Sequence, residues 1–252
     1  MNQCRSITLA TGLTLLALAC AAQEDEGPDV YTYASYFYCA AASLTRVDAI
    51  IASDAGRMHQ LVDDGTISGW GWLAHHTGGQ WQRIFYYQAD SIDELLDAGA
   101  AVPGGRDSQA NDANTDDAMS FNEICTRHDD YIWQVESGTI GADRGAAGFS
   151  VYHICDIDRE DRADEIFDEH VAPILDQLIE DGELSSWAWS SHVVGGQFRK
   201  LQTMTAVDHK SLLKARGEAI DAIYGEKNEA GAEFSDICGP HVDYMWNIIH
   251  EK

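Results

Sequence analysis

The residues of this chain with chemistry to offer are two histidines in matching contexts, four cysteines and a set of tryptophans. His75 follows Trp70 and Trp72 and precedes Gly78-Gly79-Gln80; His192 follows Trp187 and Trp189 and precedes Gly195-Gly196-Gln197. The windows 69–83 and 186–200 align without a gap and share six identities in fifteen positions, the pattern W-x-W-x-x-H-x-x-G-G-Q. A neutral imidazole can act as a general base near pH 7, which makes His75 and His192 the candidate catalytic residues, or as an axial ligand to haem iron. It can also simply cap backbone groups at a hairpin. Retention in both copies weighs toward a role set by the fold, because an enzymatic site usually survives in one half of a duplication.

The second strand of each copy alternates large and small residues. Trp70 and Trp72 share one face, with Gly69, Gly71 and Leu73 on the other; Trp187 and Trp189 stand likewise against Ser186, Ala188 and Ser190. The four tryptophans are candidate ligand-binding walls, with core packing beneath helices as the plainer alternative. Arg83, replaced by Lys200 in the copy, is a candidate to bind a carboxylate inside the protein, or a surface cation. The hydroxyls of Tyr36, Tyr38, Tyr86 and Tyr87 could join such a pocket or edge a sheet. His128 with Asp130, and His241 with Asp243, place a carboxylate two residues from an imidazole, either to orient it or as a solvated pair.

Bulk properties narrow the field. The chain has 252 residues, with 42 acidic against 16 basic side chains and a formal net charge of −26. Without clustered Lys and Arg it lacks the surface that nucleic acid or anionic lipid requires. At the N-terminus, Arg5, the apolar run from Ile7 to Ala19 and the small residues before Gln23 read as a secretory signal peptide over residues 1–22. Leu16-Ala17-Leu18-Ala19-Cys20 also resembles a bacterial lipobox, although Ala17 stands where Leu is usual. Simple export is preferred to a lipid anchor at Cys20, and no other run is long and apolar enough to span a bilayer. The expected location is therefore periplasmic or extracellular. Four cysteines remain after the signal: Cys39, Cys125, Cys155 and Cys238. An even number in an exported chain suggests disulfides.

These residues need elements to position them. Tyr33 to Cys39 reads as a strand and Arg46 to Val62 as a helix ended at Gly65. Ile67–His75 and Gln80–Tyr87 form a hairpin about Gly78-Gly79. A helix from Ser91 to Ala101, a loop with an Asn/Asp-rich segment, and a last strand at Asp130–Val135 complete a βαββαβ order. A Gly-rich linker, Gly138 to Gly148, precedes the second copy. There Phe149–Cys155, the helix ended at Gly182, the Gly195-Gly196 hairpin and a helix from Asp208 repeat the order. The segment 234–246 matches 121–133 at seven of thirteen positions. The chain is thus a tandem duplication, with repeats over 30–138 and 148–252.

A βαββαβ unit is the ferredoxin-like arrangement, whose helices cover one face of the sheet. The other face must also be buried, and two copies can bury each other's. On this topology the chain resembles the dimeric α+β-barrel superfamily, in which two ferredoxin-like units pack sheet to sheet. The fold expected is α+β, an intramolecular α+β barrel. That superfamily includes cofactor-free monooxygenases, haem-binding peroxidases, chlorite dismutases and stress-responsive proteins, so the fold does not assign a reaction.

In a ferredoxin-like sheet the fourth strand pairs antiparallel beside the first. This pairing brings Cys39 to Cys125 and Cys155 to Cys238, giving one bridge per repeat; each closes a loop of more than eighty residues, worth about 4 kcal/mol on the chain-entropy model. Oxidation is preferred to a Cys/His metal site, and no metal ligand is assigned. Three functions remain: a small apolar or aromatic molecule bound between the repeats, extending to a cofactor-free monooxygenase-like enzyme; a haem protein with a barrel histidine as ligand; and a non-enzymatic scaffold. The sequence names no cofactor. It carries no nucleophile elbow, phosphate loop, zinc-protease motif or dinucleotide fingerprint.

Overall fold

The structure is a computed structural model, and residues 29–102, 119–140, 144–225 and 228–252 are described. The expected signal peptide, Cys20 and the Asn/Asp-rich segment lie outside the described residues. No described helix is long and apolar enough to cross a membrane.

The first half runs β1 (Val30–Cys39), α1 (Leu44–Asp63), β2 (Gly69–Gly78), β3 (Arg83–Ala89), α2 (Ile92–Ala98), α3 (Phe121–Ile124) and β4 (Cys125–Ile140). The second runs β5 (Ala147–His153), α4 (Glu160–Ile166), a π-helical turn (Phe167–Val171), α5 (Ala172–Glu180), β6 (Ser186–Val194), β7 (Lys200–Ala206), α6 (His209–Tyr224), α7 (Glu229–Cys238) and β8 (His241–Glu251). The strand order is β4-β1-β3-β2 in one half and β6-β7-β5-β8 in the other. The two sheets also pair edge to edge, β2 with β8 and β4 with β6, so all eight strands close into one antiparallel barrel. Closure pairs both edges of every described strand. Register shifts at Trp72/Leu73 and His75/Thr77 on one seam, and at Ile132/Trp133 and Val135/Ser137 on the other, are the bulges that bend the sheets into each other.

The helices follow local signals. Ser91, Asp208 and Asn228 cap the starts of α2, α6 and α7 with their side chains. Gly65 and Gly182 take the left-handed conformation after α1 and α5. Two elements differ from the sequence expectation. The matched segments at 121 and 234 begin as helices before turning into strands, and the signal for the first was a Ser120–Glu123 capping box. The Gly-rich linker is also shorter than expected, because β4 continues to Ile140 and β5 starts at Ala147.

The duplication is offset by one residue inside the first helix of each half. Cys39 and Asp48 match Cys155 and Asp164, 116 positions on, whereas Gly65 and Trp70 match Gly182 and Trp187, 117 positions on. The extra residue of the second half is absorbed by the π-helical turn at Phe167–Val171, which keeps the faces on either side in register.

Three clusters hold the fold. Two lie between helices and the outer barrel surface: Trp70, Trp72, Val47, Met58 and Leu95 in the first half, and Trp187, Trp189, Phe167, Leu175 and Leu212 in the second. The third fills part of the interior with Tyr36, Trp81, Tyr131, Trp133, Tyr152, Phe198, Tyr244 and Trp246. Disulfides join Cys39 to Cys125 and Cys155 to Cys238 at the ends of the β1–β4 and β5–β8 pairs.

Candidate functional site

Pleating decides which residues face the interior. Trp70 and Trp72 belong to the outer cluster, so Gly71 and Leu73 between and after them face inward; Ala188 and Ser190 do the same on β6. Trp70, Trp72 and Trp189 therefore pack beneath the helices, and so does Trp187, which also borders the barrel cavity. Three of the four indole N–H groups are anchored there, and Trp70 Nε1 has no partner among the described residues. Trp72 Nε1 donates to Asp48 of α1 at 2.9 Å, Trp189 Nε1 to Asp164 of α4 at 2.7 Å, and Trp187 Nε1 to Asp176 of α5 at 2.8 Å.

Arg83 lies on the same side of the sheet. Its guanidinium grips Asp48 through Nε at 2.7 Å and Nη2 at 2.8 Å, on the helix side of the sheet. Burial raises the Asp48 pKa, but the hydrogen bonds from Arg83 and Trp72 outweigh it and leave the carboxyl below its ordinary value. Lys200 takes the equivalent place, only 2% exposed, with its ammonium 2.6 Å from Asp164 and 2.7 Å from Ser191. Each repeat thus has one half-buried aspartate that holds a tryptophan and a buried cation.

The aromatic cluster fills the barrel end nearest the disulfides and the Gly-Gly hairpins. Trp81 stacks on Tyr244 at 5.0 Å, and Tyr131 on Trp133 at 5.0 Å. His75 and His192 sit at this end. His75 meets Tyr244 and Trp246 edge-on, with Nε2 3.3 Å from the Gly78 carbonyl. His192 meets Tyr131 and Trp133 in the same way, and Arg199 donates to its Nδ1 at 2.8 Å. Burial, then the Arg199 charge, lowers the His192 pKa. Both rings lock a hairpin against an aromatic pair. Neither lines the barrel cavity. His128 and His241 are half-exposed beside Asp130 and Asp243, at 3.3 and 3.8 Å.

The opposite end of the barrel is open. A cavity of about 690 Å³ runs in from the start of β1, bounded by Ala34, Leu73, Ile84 and Leu201 on its apolar walls and by Ser150, Ser190 and Thr203 on its hydroxyl-bearing wall. Tyr36, Tyr152, Trp133 and Trp246 form the floor, where the cavity meets the aromatic cluster. Trp133 Nε1 donates to the Tyr36 hydroxyl at 3.1 Å. Burial drives the pKa values of Tyr36 and Tyr152 upward, so both phenols stay protonated. Of the four tyrosines singled out in the sequence, Tyr36 and Tyr86 line the cavity; Tyr87 packs under the first-half helices, and Tyr38 donates to Asp129.

At the mouth, Arg144 donates to the Tyr86 hydroxyl at 3.1 Å, to Glu251 and, through Nε, to Ser186 at 3.3 Å; Tyr86 in turn donates to Glu251. Arg144 comes from the segment joining the two repeats and Glu251 from the C-terminal strand, so the mouth is built from both halves. The sequence pointed to neither residue, since both lie outside the repeated motifs.

A second cavity of about 300 Å³ lies under α6 and α7, lined by His153, Arg216, Ile220 and Ile223. His153 Nδ1 is 3.2 Å from the Cys238 carbonyl, which makes Nδ1 the donor. Burial lowers its pKa to about 4. Among the described residues no group of three or more His, Cys, Asp or Glu is placed to hold a metal ion.

No protein-family model matches the chain, and no curated protein matches it. Solved structures do. A monooxygenase candidate from Fusobacterium nucleatum superposes with a TM-score of 0.60 at 10% identity, over 90% of this chain and 95% of its own. An anthrone oxidase-like protein gives 0.54 at 13% identity, over 90% and 94%. A heme-binding protein from Thermus thermophilus gives 0.50 at 11% identity, over 88% and 92%. Neighbours of this kind belong to the dimeric α+β-barrel superfamily. At these identities the likeness shows the fold: this chain is an α+β barrel of that architecture, built from one polypeptide.

Proposed function

We propose that this protein is exported and takes a small apolar or aromatic molecule into the open end of its barrel, between the two repeats. The cavity itself carries the reading. Its volume falls in the range of ligand sites, and its lining joins apolar side chains such as Leu73, Ile84 and Leu201 to polar ones such as Gln88, Ser150 and Thr203. The monooxygenase-type neighbours support a small-molecule ligand for a barrel of this fold. Two disulfides and the signal-like N-terminus support export.

Binding is favoured over a base-catalysed reaction. The cavity lining contains no histidine, its carboxylates Asp29 and Glu136 stand beside the start of β1 and away from the floor, and burial holds the Tyr36, Tyr86 and Tyr152 phenols protonated. The monooxygenase-like extension would have to draw its chemistry from the substrate, with this chain supplying shape and hydrogen bonds. The haem reading required a barrel histidine as axial ligand. His75 and His192 stand in the aromatic end, so the cavity does not fit that group.

The test is a titration of the purified protein with 1-naphthol, followed by tryptophan fluorescence. Saturable quenching is expected, and it should be lost in Ala188→Trp, which fills the cavity from β6. Equal binding by a folded Ala188→Trp variant would place the ligand elsewhere and sink the proposal.

A further inference from the structure

The duplication supplies an internal control for the cavity floor. Trp133 and Trp246 occupy equivalent positions, as do Tyr36 and Tyr152. Both tryptophans are buried and line the cavity. In the first pair the indole N–H donates to its tyrosine at 3.1 Å. In the second pair the bond is not made, and Trp246 Nε1 has no hydrogen-bond partner among the described residues. An indole N–H can only donate, and leaving one buried without an acceptor is costly. Trp70 Nε1 in the outer cluster of the first half is likewise without a partner, but of the two only Trp246 borders the cavity, where an entering molecule can bring an acceptor.

The walls break the symmetry in the same sense. Ala34 of β1 is matched by Ser150 of β5, and Leu73 of β2 by Ser190 of β6. Ser150 and Ser190 are both buried. These two exchanges put hydroxyls on the second-half wall, where Trp246 also stands, while the polar side chains of the first half, Thr32, Tyr86 and Gln88, line the cavity toward the start of β1. A hydrocarbon would gain nothing from the hydroxyls and the indole N–H of the second-half wall. A molecule with an oxygen on one edge would gain a donor from Trp246 and hydroxyls beside it, while its apolar edge meets Ala34, Leu73 and Ile84.

Building on the proposed cavity function, we infer that the ligand is a flat, largely apolar molecule with a carbonyl-type acceptor oxygen, seated so that Trp246 Nε1 donates to that oxygen on the second-half wall. Trp246 is then the residue that sets orientation and selects oxygen-bearing ligands over hydrocarbons of the same shape.

The test uses 1-tetralone and its carbonyl-free counterpart tetralin as probes, with the whole mature protein. Trp246→Phe should weaken 1-tetralone by about tenfold, the loss of one buried hydrogen bond that leaves its acceptor unpaired, and change tetralin by less than about twofold. Because Trp246→Phe also alters the floor, the wild-type protein provides a second readout. Its Trp246 indole N–H resonance, assigned by its absence from the variant, should move downfield with 1-tetralone and stay in place with tetralin. Tetralone binding with an unmoved resonance, or equal weakening of both probes by the variant, overturns this inference and leaves the cavity function intact. Failure of both probes to bind the wild type overturns the cavity function, and this inference with it.

Discussion

The Tyr244 hydroxyl of the second repeat accepts the backbone N–H of Gln80 in the first, at 2.7 Å. It lies against the Gly78-Gly79 hairpin, and the duplicated partner does the reverse: Tyr131 of the first repeat lies against Gly195-Gly196 of the second. Each half reaches across the barrel seam to hold the other's tyrosine. The glycines are needed because a Cβ on Gly79 would stand 2.0 Å from the Tyr244 oxygen, and one on Gly196 2.4 Å from that of Tyr131. The most visible motif in the sequence is therefore a reciprocal clasp.

Breaking the clasp should cost stability without touching the cavity. Tyr244→Phe leaves the Gln80 and Trp81 amides without this acceptor and should cost about 1–2 kcal/mol. Gly79→Ala forces a side chain into the tyrosine and should cost about 1–3 kcal/mol. Urea denaturation of the two variants measures both. A Gly79→Ala protein as stable as wild type would show that the hairpin does not bear on Tyr244.

The buried ion pairs make a second prediction. Lys200→Met removes the cation that balances Asp164 and bonds Ser191. It should destabilise the fold by about 3 kcal/mol, the lower part of the range for a broken buried pair because Asp164 keeps some contact with water. Arg83→Met should behave similarly through Asp48. Thermal denaturation decides it, and neutral substitutions would mean that these pairs are solvated in practice.

His153 predicts a pH dependence. Its pKa falls from 6.5 to about 4 on folding, chiefly through burial, with the Cys238 carbonyl opposing and His241 and Arg216 adding to the fall. The unfolded chain therefore binds the extra proton first. Stability from this group is complete above pH 6.5, declines as the pH drops toward 4, and is lost below it, a change of roughly 3 kcal/mol. Its counterpart in the first repeat is Phe37, which packs on His128 as His153 packs on His241. His153→Phe should remove that slope from the denaturation free energy between pH 6.5 and 4. A variant that keeps the full slope would assign it to the carboxylates.

Much of this architecture is legible in the sequence because the duplication prints it twice. Cysteine positions and strand order fix the two bridges, and the helix ends at Gly65 and Gly182 follow from their residue types. Period-two alternation told which residues of β2 share a face. It could not tell which face is interior, because large aromatic and small residues each suit a covered sheet. Asp48 and Asp164 settle the matter, and they lie on helices more than twenty residues away from the tryptophans they hold. The interior aromatics were also in view, as the repeated Asp-Tyr-x-Trp at Asp130–Trp133 and Asp243–Trp246, but that pattern alone carries no direction. Arg144 and Glu251 were beyond reach, since only barrel closure brings the inter-repeat segment to the C-terminal strand.

The central claim is that the open barrel end, and not the space under α6 and α7, receives the ligand. Intermolecular nuclear Overhauser effects between 1-naphthol and assigned methyl groups test it most directly. The account predicts contacts to Ala34, Ala188, Ile84 and Leu201, which wall the barrel cavity. Contacts to Ile220 and Ile223 instead, at the second cavity, would contradict it.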